Sequence, residues 1–183
     1  MVMETNYFTD RGMKPNGNAA EFAADIHKLI AKVVLLEDFT LAEIVLLGQY
    51  MPVFDADAGT SIITEGDPGD FMVVVIRGLV DVTRLDRAGQ PSRIAVVHEG
   101  YALGEMSMLD GEPRFSSCIA LEPTCFAVLS RSTLAELIRI QPAIGAKILV
   151  KLVHILSQRL RNTSMKLVAL ADKESESSLV VPI

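Results

Sequence analysis

The chain has 183 residues, of which 50% are hydrophobic, and its formal net charge at pH 7 is −6. This length suits one domain with appendages, and the negative charge disfavours nucleic acid as the main partner. No apolar run reaches the length of a membrane span, about 20 residues. Residues 1–12 lack the basic and apolar regions of a secretory signal. We therefore expect a cytoplasmic protein that contacts neither membrane nor DNA directly.

The cysteines and histidines give no sign of a disulfide, a metal site or a catalytic centre. Cys118 and Cys125 are best explained as small buried hydrophobes, because a disulfide needs an oxidising compartment. His27, His98 and His154 are scattered without the spacing of metal ligands. No nucleophile–base pair or carboxylate pair stands out, and we predict that the protein is not an enzyme.

The N-terminal part of the sequence predicts a lead-in followed by helices. Residues 1–18 show little pattern and are predicted to be a mobile lead-in. Residues 19–50 carry apolar residues at helical spacing, with Thr40 as an N-cap, Glu43 as its capping-box partner and an end near Gly48. The apolar face of the first predicted helix consists of Phe22, Ile26, Leu29, Ile30 and Val33.

Between residues 51 and 130, short β-rich runs alternate with turn residues. Seven or so strands at this spacing predict a β-sandwich or barrel and not βαβ units. Gly66 and Gly69 are most simply turn glycines, which the backbone needs where φ is positive. The predicted fold class is therefore mainly β with flanking helices.

The stretch from Gly104 to Ser117, GEMSMLDGEPRFSS, places one acid and one base around a tight turn. The guanidinium fork of Arg114 can pair two oxygens of a phosphate. Glu105 can accept from a hydroxyl, and the backbone N–H groups of a short helix beginning there add partial positive charge. These residues favour a small anion that also carries sugar hydroxyls. The alternative is an ordinary surface ion pair between Glu105 and Arg114.

Helical spacing returns at Ser130 and covers residues 131–171, with Ser132 or Ser130 as the N-cap. Pro142 interrupts this region, because the residue before a proline avoids the helical conformation. The long helix that follows is predicted to end near Ala171. Residues 172–183 are predicted to form a tail with a frayed acidic part.

The long helix carries two apolar stripes. The first consists of Ile148, Leu152 and Ile155. The second has heptad spacing and consists of Val153, Leu160 and Leu167 at a positions with Leu149, Leu156, Thr163 and Leu170 at d positions. One stripe is enough to pack a helix on a barrel, so the second predicts a parallel two-fold homodimer. The alternative is one wide stripe buried within the same subunit.

The cassette at 104–117 and the segment GTSIITEGDPGDFMVVVIRGLVDV, with its glycines Gly59, Gly66 and Gly78, resemble the cyclic nucleotide-binding domain family. The resemblance implies a jelly-roll-like β-roll over residues 51–130 with a phosphate-binding cassette. It also implies roles for four residues of that cassette. Glu105 would take the ribose 2′-hydroxyl and Arg114 the cyclic phosphate, joined by the backbone N–H groups of Ser107 and Phe115.

The run RLRNTSMKL, Arg159 to Leu167, resembles the long dimer helix of the activator members of this family. In those members a Thr-Ser pair hydrogen-bonds the adenine, with one residue from each subunit. Thr163 and Ser164 match that pair in place and type. The resemblance therefore favours cyclic AMP as the ligand, with cyclic GMP possible. The alternative is that Thr163 sets the helix register or is simply tolerated.

Two features depart from the family pattern. The DNA-binding members continue into a helix-turn-helix, whereas about 12 residues remain here after the dimer helix, and direct DNA binding is not expected. Phe115 stands where the family usually has alanine or serine. Strand alternation places its ring on the face opposite Arg114, and Ser116 on the same face as Arg114 could replace a lost hydroxyl contact.

The resulting hypothesis is a stand-alone, dimeric receptor for a cyclic nucleotide, which signals to an unknown effector protein through a ligand-linked conformational change. The alternative is a nucleotide-free dimerisation scaffold with the same fold. The candidate ligand-binding residues are Gly104, Glu105, Met106, Ser107, Arg114, Phe115, Ser116, Thr163 and Ser164.

Overall fold

A computed structural model describes residues 2–29 and 34–178. Within them, strands form two sheets that helices flank. The strands are β1 (Lys14–Asn18), β2 (Pro52–Ala56), β3 (Ser61–Ile63), β4 (Phe71–Arg77), β5 (Val80–Leu85), β6 (Pro91–Val97), β7 (Ala102–Leu103), β8 (Ser117–Ala120) and β9 (Thr124–Ser130). The helices are α1 (Val2–Thr9), α2 (Ala23–Lys28), α3 (Leu41–Gly48), α4 (Glu105–Asp110), α5 (Arg131–Ile140) and α6 (Pro142–Ser178), and a 3-10 turn covers Val34–Leu36.

The two sheets enclose one apolar core, and the helices cover a second. The five-stranded sheet has the order β1-β2-β9-β4-β7 and the four-stranded sheet the order β3-β8-β5-β6, with antiparallel pairing. Side chains alternate between the cores along β4, where Val73 belongs to the core between the sheets and Val74 to the core under the helices. The predicted fold class, mainly β with flanking helices, is confirmed.

Helix α3 begins where its cap predicts. The Thr40 side chain accepts a hydrogen bond from the Glu43 N–H at 3.3 Å, and the Glu43 carboxylate accepts from the Thr40 N–H at 2.9 Å. The predicted capping box is therefore confirmed. Helix α2 is shorter than predicted, and Ile30 and Val33 of its predicted apolar face lie outside the described residues.

The N-terminal segment differs from the predicted mobile lead-in over residues 1–18. It forms α1 and β1, and β1 pairs with β2 at the edge of the five-stranded sheet. Phe8 is 0% exposed and Met13 is 2% exposed in the core between the sheets. The pattern was uninformative because few side chains are buried among residues 6–18, and these show no helical or strand periodicity. The side chains of Phe8 and Met13 nevertheless tie the segment to the core.

The C-terminal helices follow their predicted signals. The Ser130 side chain caps α5 by accepting from the Thr133 N–H at 3.1 Å, and Pro142 starts α6. Helix α6 runs seven residues beyond Ala171, into the predicted tail, because no glycine or proline interrupts the sequence between Gly145 and Pro182. The end of the predicted tail, 179–183, lies outside the described residues.

Only the first stripe of α6 is buried within the subunit. Ile148, Leu152 and Ile155 are at most 9% exposed and belong to the core under the helices. Heptad residues of the second stripe are exposed, for example Val153 at 63% and Leu160 at 69%. The alternative of one wide stripe buried within the same subunit is therefore wrong.

Each sheet contains one buried free thiol, Cys118 in β8 and Cys125 in β9. Burial raises the pKa of both thiols to about 12. The prediction of small, buried, unpaired cysteines is confirmed.

Among the helices in the described part of the chain, none has the length and apolar composition of a membrane span.

Candidate functional site

The predicted cassette is a short helix between two glycines in the left-handed conformation. Gly104 caps the start of α4 with φ 78°, and Gly111 ends it with φ 82°. The left-handed conformation is costly for residues with a Cβ, so glycine suits both positions. The first turn of α4 leaves backbone N–H groups without acceptors inside the helix.

Arg114 lies under this helix and is 3% exposed. Its Nη1 donates to the Phe71 carbonyl at 2.8 Å and to the Gly104 carbonyl at 2.9 Å, and its guanidinium carbon lies 4.1 Å from the centre of the Phe71 ring. A Cβ at Gly69 would overlap the guanidinium, so glycine at this position makes room for the side chain. The arginine is therefore held by one nitrogen and one ring face.

The opposite edge of the Arg114 guanidinium has no partner. Its Nε and Nη2 are buried and make no hydrogen bond to any described residue. Burial lowers the pKa of Arg114 from its ordinary value, although an arginine side chain keeps its proton in proteins. Two parallel N–H donors on a charged edge match two oxygens of a phosphate or carboxylate.

Glu105 supplies the complementary acceptor and is 1% exposed. Its Oε1 accepts from Nη1 of Arg159 on α6, whose Nη2 also donates to the Ala102 carbonyl at 2.8 Å. Its Oε2 is buried without a hydrogen-bond partner among the described residues. Because Glu105 pairs with Arg159 and both Glu105 and Arg114 are buried, the alternative of a surface ion pair between Glu105 and Arg114 is wrong.

In the described part of the chain, the buried side-chain nitrogens and oxygens without a hydrogen-bond partner are these three atoms of Arg114 and Glu105. Buried polar groups are normally satisfied. Two donors on a cation and one acceptor on a carboxylate fit an anion that also has a hydroxyl group. The geometry thus fits the ligand chemistry expected from the sequence.

The remaining cassette residues occupy different positions. Ser107 is 3% exposed and its hydroxyl lies 3.4 Å from the Pro113 carbonyl oxygen, whereas Met106 is 44% exposed. Phe115 is 49% exposed, and the guanidinium carbon of Arg84 lies 3.9 Å from its ring centre. The ring is therefore turned to the surface, as predicted, but residues 114–116 precede β8, so strand alternation is not the cause of this orientation. Ser116 is half-buried.

Thr163 and Ser164 are exposed on α6. Within one subunit it is Arg159, one helical turn before Thr163, that reaches the cassette. The hydrogen-bond partners of the Arg114 and Glu105 side chains among the described residues are Phe71, Gly104 and Arg159, and Thr163 is not one of them.

Sequence reasoning missed two arginines that hold α4. Arg159 binds Glu105, and Arg131 of α5 donates to the carbonyls of Met108 at 2.6 Å and Ser107 at 2.8 Å. The position of Arg159 four residues before Thr163 places both on one face of a helix, and this spacing was the available signal.

The chain is similar to known proteins of one family. A family model described as "Cyclic nucleotide-binding domain" matches residues 54–141. A solved structure of a cyclic nucleotide-binding domain from Methylobacillus flagellatus is 36% identical, with a TM-score of 0.77, and the match covers 86% of this chain and 88% of that one.

Two curated bacterial proteins are also similar. The match to the cyclic AMP receptor protein of Thermus thermophilus is 32% identical and covers 65% of this chain and 53% of that protein. The match to the CRP-like cAMP-activated global transcriptional regulator of Mycobacterium tuberculosis is 25% identical and covers 76% of this chain and 61% of that protein. The chain thus spans between a half and two thirds of the length of these relatives.

Proposed function

Because the chain belongs to the cyclic nucleotide-binding domain family, we propose that it is a receptor that binds cyclic AMP and passes the binding event to a partner protein. One observation carries the proposal. Arg114 is buried and fixed through Nη1, and its Nε and Nη2 are unpaired on the edge that suits a phosphate.

The proposed contacts follow from the unpaired atoms. Arg114 donates from Nε and Nη2 to two oxygens of the cyclic phosphate. Glu105 accepts the ribose 2′-hydroxyl at Oε2, since Oε1 is already bound by Arg159. Backbone N–H groups of Ser107 and Phe115 complete the phosphate contacts, and Gly104, Met106 and Ser116 line the cassette.

The choice of cyclic AMP rests on the resemblance of Thr163 and Ser164 to the adenine-binding pair of the activator members. Relatives named for cyclic AMP support it. Both residues are exposed in one subunit and need a second surface to enclose a base. We therefore place the base between the cassette of one subunit and the α6 helices of a homodimer, with cyclic GMP as a weaker ligand.

Homodimerisation through α6 is supported by its exposed heptad stripe. Val153, Leu160 and Leu167 are each more than 60% exposed. Exposed apolar patches of this kind mark interaction surfaces, and heptad spacing is the pattern by which two long helices pack side by side.

Signal transmission is proposed to run from Glu105 through Arg159 to α6. Nucleotide bound to Glu105 favours one position of α4, and the ion pair makes α6 follow it, which shifts the population of dimer geometries. An effector protein in the cytoplasm reads this change. The chain itself acts as a receptor and not as an enzyme.

Isothermal titration with cyclic AMP, cyclic GMP and non-cyclic AMP tests the proposal. We expect cyclic AMP to bind most tightly and to raise the Tm by mass action. If neither cyclic nucleotide binds nor changes the Tm at millimolar concentration, the receptor function is refuted. The alternative of a nucleotide-free dimeric scaffold then remains.

A further inference from the structure

Helix α1 packs against the same aromatic ring that supports Arg114. The rings of Tyr7 and Phe8 contact the Phe71 ring edge-on, with centroid distances of 5.0 Å and 4.9 Å. Phe71 carries the Arg114 guanidinium on its face at 4.1 Å. The N-terminal segment is thus part of the surroundings of the candidate phosphate site, although it precedes the matched family region.

Two side chains of this segment bind one carboxylate. Arg11 donates from Nη2 to Oδ2 of Asp67 at 2.8 Å, and the Tyr7 hydroxyl donates to the same oxygen at 3.3 Å. The Arg11 guanidinium carbon also lies 3.7 Å from the Tyr7 ring centre. The Asp67 carboxylate is therefore oriented towards the N-terminal segment.

Asp67 is also a direct backbone neighbour of Arg114. Its carbonyl accepts from the Arg114 N–H at 2.9 Å, and the adjacent Gly66 N–H donates to the Arg114 carbonyl at 2.9 Å. The Asp67 carboxylate also interacts electrostatically with the buried Arg114 guanidinium, as does that of Asp70. Such an acid is a competitor for that edge, because carboxylates bind guanidinium forks as phosphates do.

We infer that Tyr7 and Arg11 are positioning residues that hold the Asp67 carboxylate away from Arg114 and so keep the Nε–Nη2 edge open for a phosphate. The inference rests on the proposed function for its ligand. It assigns a role in binding to a segment that makes no proposed contact with the nucleotide.

Titration calorimetry on the full chain with cyclic AMP tests the inference, because a second substitution should restore the affinity that the first one lowers. Arg11→Met is expected to weaken binding about fivefold, the effect of one partly exposed ion pair. Asp67→Asn removes the competitor, so the Arg11→Met/Asp67→Asn double variant is expected to bind as tightly as Asp67→Asn alone. The control, Lys14→Met, breaks the exposed Lys14–Asp57 pair of 3.2 Å in the same segment and should bind like the wild type.

The Arg114 Nε–H resonance gives a readout without ligand. The resonance is expected to shift downfield in Arg11→Met, because the released Asp67 carboxylate pairs with the Arg114 Nε–H. In the double variant it is expected to return to its position in the wild type. If it shifts and returns while the wild type binds no nucleotide, the proposed function fails, whereas the part of the inference that concerns the position of the Asp67 carboxylate stands. Unchanged affinity and resonance in Arg11→Met, or a double variant as weak as Arg11→Met, would overturn the inference.

Discussion

Arg114 is fixed by one nitrogen while two other buried nitrogens have no partner. A buried donor without an acceptor costs about 1–3 kcal/mol, and an anion with two oxygens removes this cost. The unpaired edge therefore suits an anion with two oxygens, and the shape of the cation matters as much as its charge. A lysine at this position would supply the charge without the planar fork.

Arg114→Lys is expected to weaken cyclic AMP binding about 100-fold, because one bidentate charge-assisted pair is replaced by a single contact. Titration calorimetry measures the loss. Arg84→Lys is the matched control, since Arg84 is a neighbouring cation that stacks on the outward Phe115 ring. Equal losses for the two variants would contradict the assignment of the phosphate to Arg114.

Glu105→Gln tests the hydroxyl contact. The wild type should bind cyclic AMP about tenfold more tightly than 2′-deoxy cyclic AMP, which is the effect of one hydrogen bond to a charged group. The variant should lose most of this preference, because the uncharged amide accepts more weakly. If the preference persists in Glu105→Gln, another residue accepts from the 2′-hydroxyl.

The residues of the cassette were predictable, but their partners were not. A short stretch of sequence contains both Glu105 and Arg114, and Phe115 is exposed as expected, although strand alternation does not explain this because the residue precedes β8. Arg159 is 54 residues from Glu105. No local pattern shows that they meet, because their contact depends on how α6 packs across the five-stranded sheet.

Among the elements, α4 is bridged to both C-terminal helices by arginines. Arg131 of α5 binds the carbonyls of Ser107 and Met108, and Arg159 of α6 binds the side chain of Glu105. The backbone N–H of Arg131 also donates to the Asp70 carbonyl at 2.7 Å. The cassette helix and the C-terminal helices are therefore mechanically linked at two points.

Arg131→Met is expected to loosen α4, since its carbonyls lose two charge-assisted bonds. Hydrogen exchange of the α4 amides should accelerate about tenfold, and cyclic AMP binding should weaken with it. Arg139→Met on the exposed part of α5 is the control. Unchanged exchange in Arg131→Met would show that α4 is held by other contacts.

The capping box of α3 predicts a pH dependence. Hydrogen bonds from Lys147, and then from the Thr40 backbone N–H, lower the pKa of Glu43. A carboxyl with a lowered pKa stabilises the fold above its unfolded-state pKa of about 4.3, and the contribution disappears as the pH falls through the folded-state value.

Glu43→Gln is therefore expected to cost about 1 kcal/mol of unfolding free energy at pH 7 and almost nothing near pH 2. Urea titrations at both pH values measure the difference. Asp25→Asn, which breaks an exposed pair with Lys28, is the control. If Glu43→Gln lowers the free energy of unfolding equally at both pH values, the packing of the Glu43 side chain and not its charge stabilises the start of α3.

Elements with clear caps and periodicity were predictable, whereas α1 and β1 were not. Thr40, Ser130 and Pro142 mark boundaries through local chemistry that a sequence displays directly. The strand β1 has the sequence KPNGN and exists because the edge of β2 offers it partners. Its formation is decided by tertiary pairing and not by propensity.

At the scale of the whole molecule, the main feature is the long helix α6. It has 37 residues and is about 55 Å long at about 1.5 Å per residue. The exposed apolar stripe begins within its first half and continues through 170. A single subunit leaves this surface in water, which favours association of two copies.

The double variant Val153→Glu/Leu160→Glu is expected to be monomeric in analytical ultracentrifugation, because like charges would face each other across the helix pair. It should also bind cyclic AMP more weakly and lose its preference for cyclic AMP over cyclic GMP, since the proposed adenine contacts of Thr163 and Ser164 require the dimer. Arg161→Glu, off the stripe, should remain dimeric. A double variant that stays dimeric would place the interface elsewhere.

Because each sheet contains one buried thiol, the local unfolding of each sheet can be followed separately. A thiol with a pKa of about 12 is almost entirely protonated at neutral pH and reacts with alkylating reagents only after its strand becomes accessible. Cys118 reports on the four-stranded layer and Cys125 on the five-stranded one. Mass spectrometry of alkylated peptides would thus reveal whether the layers separate in one cooperative event or in succession.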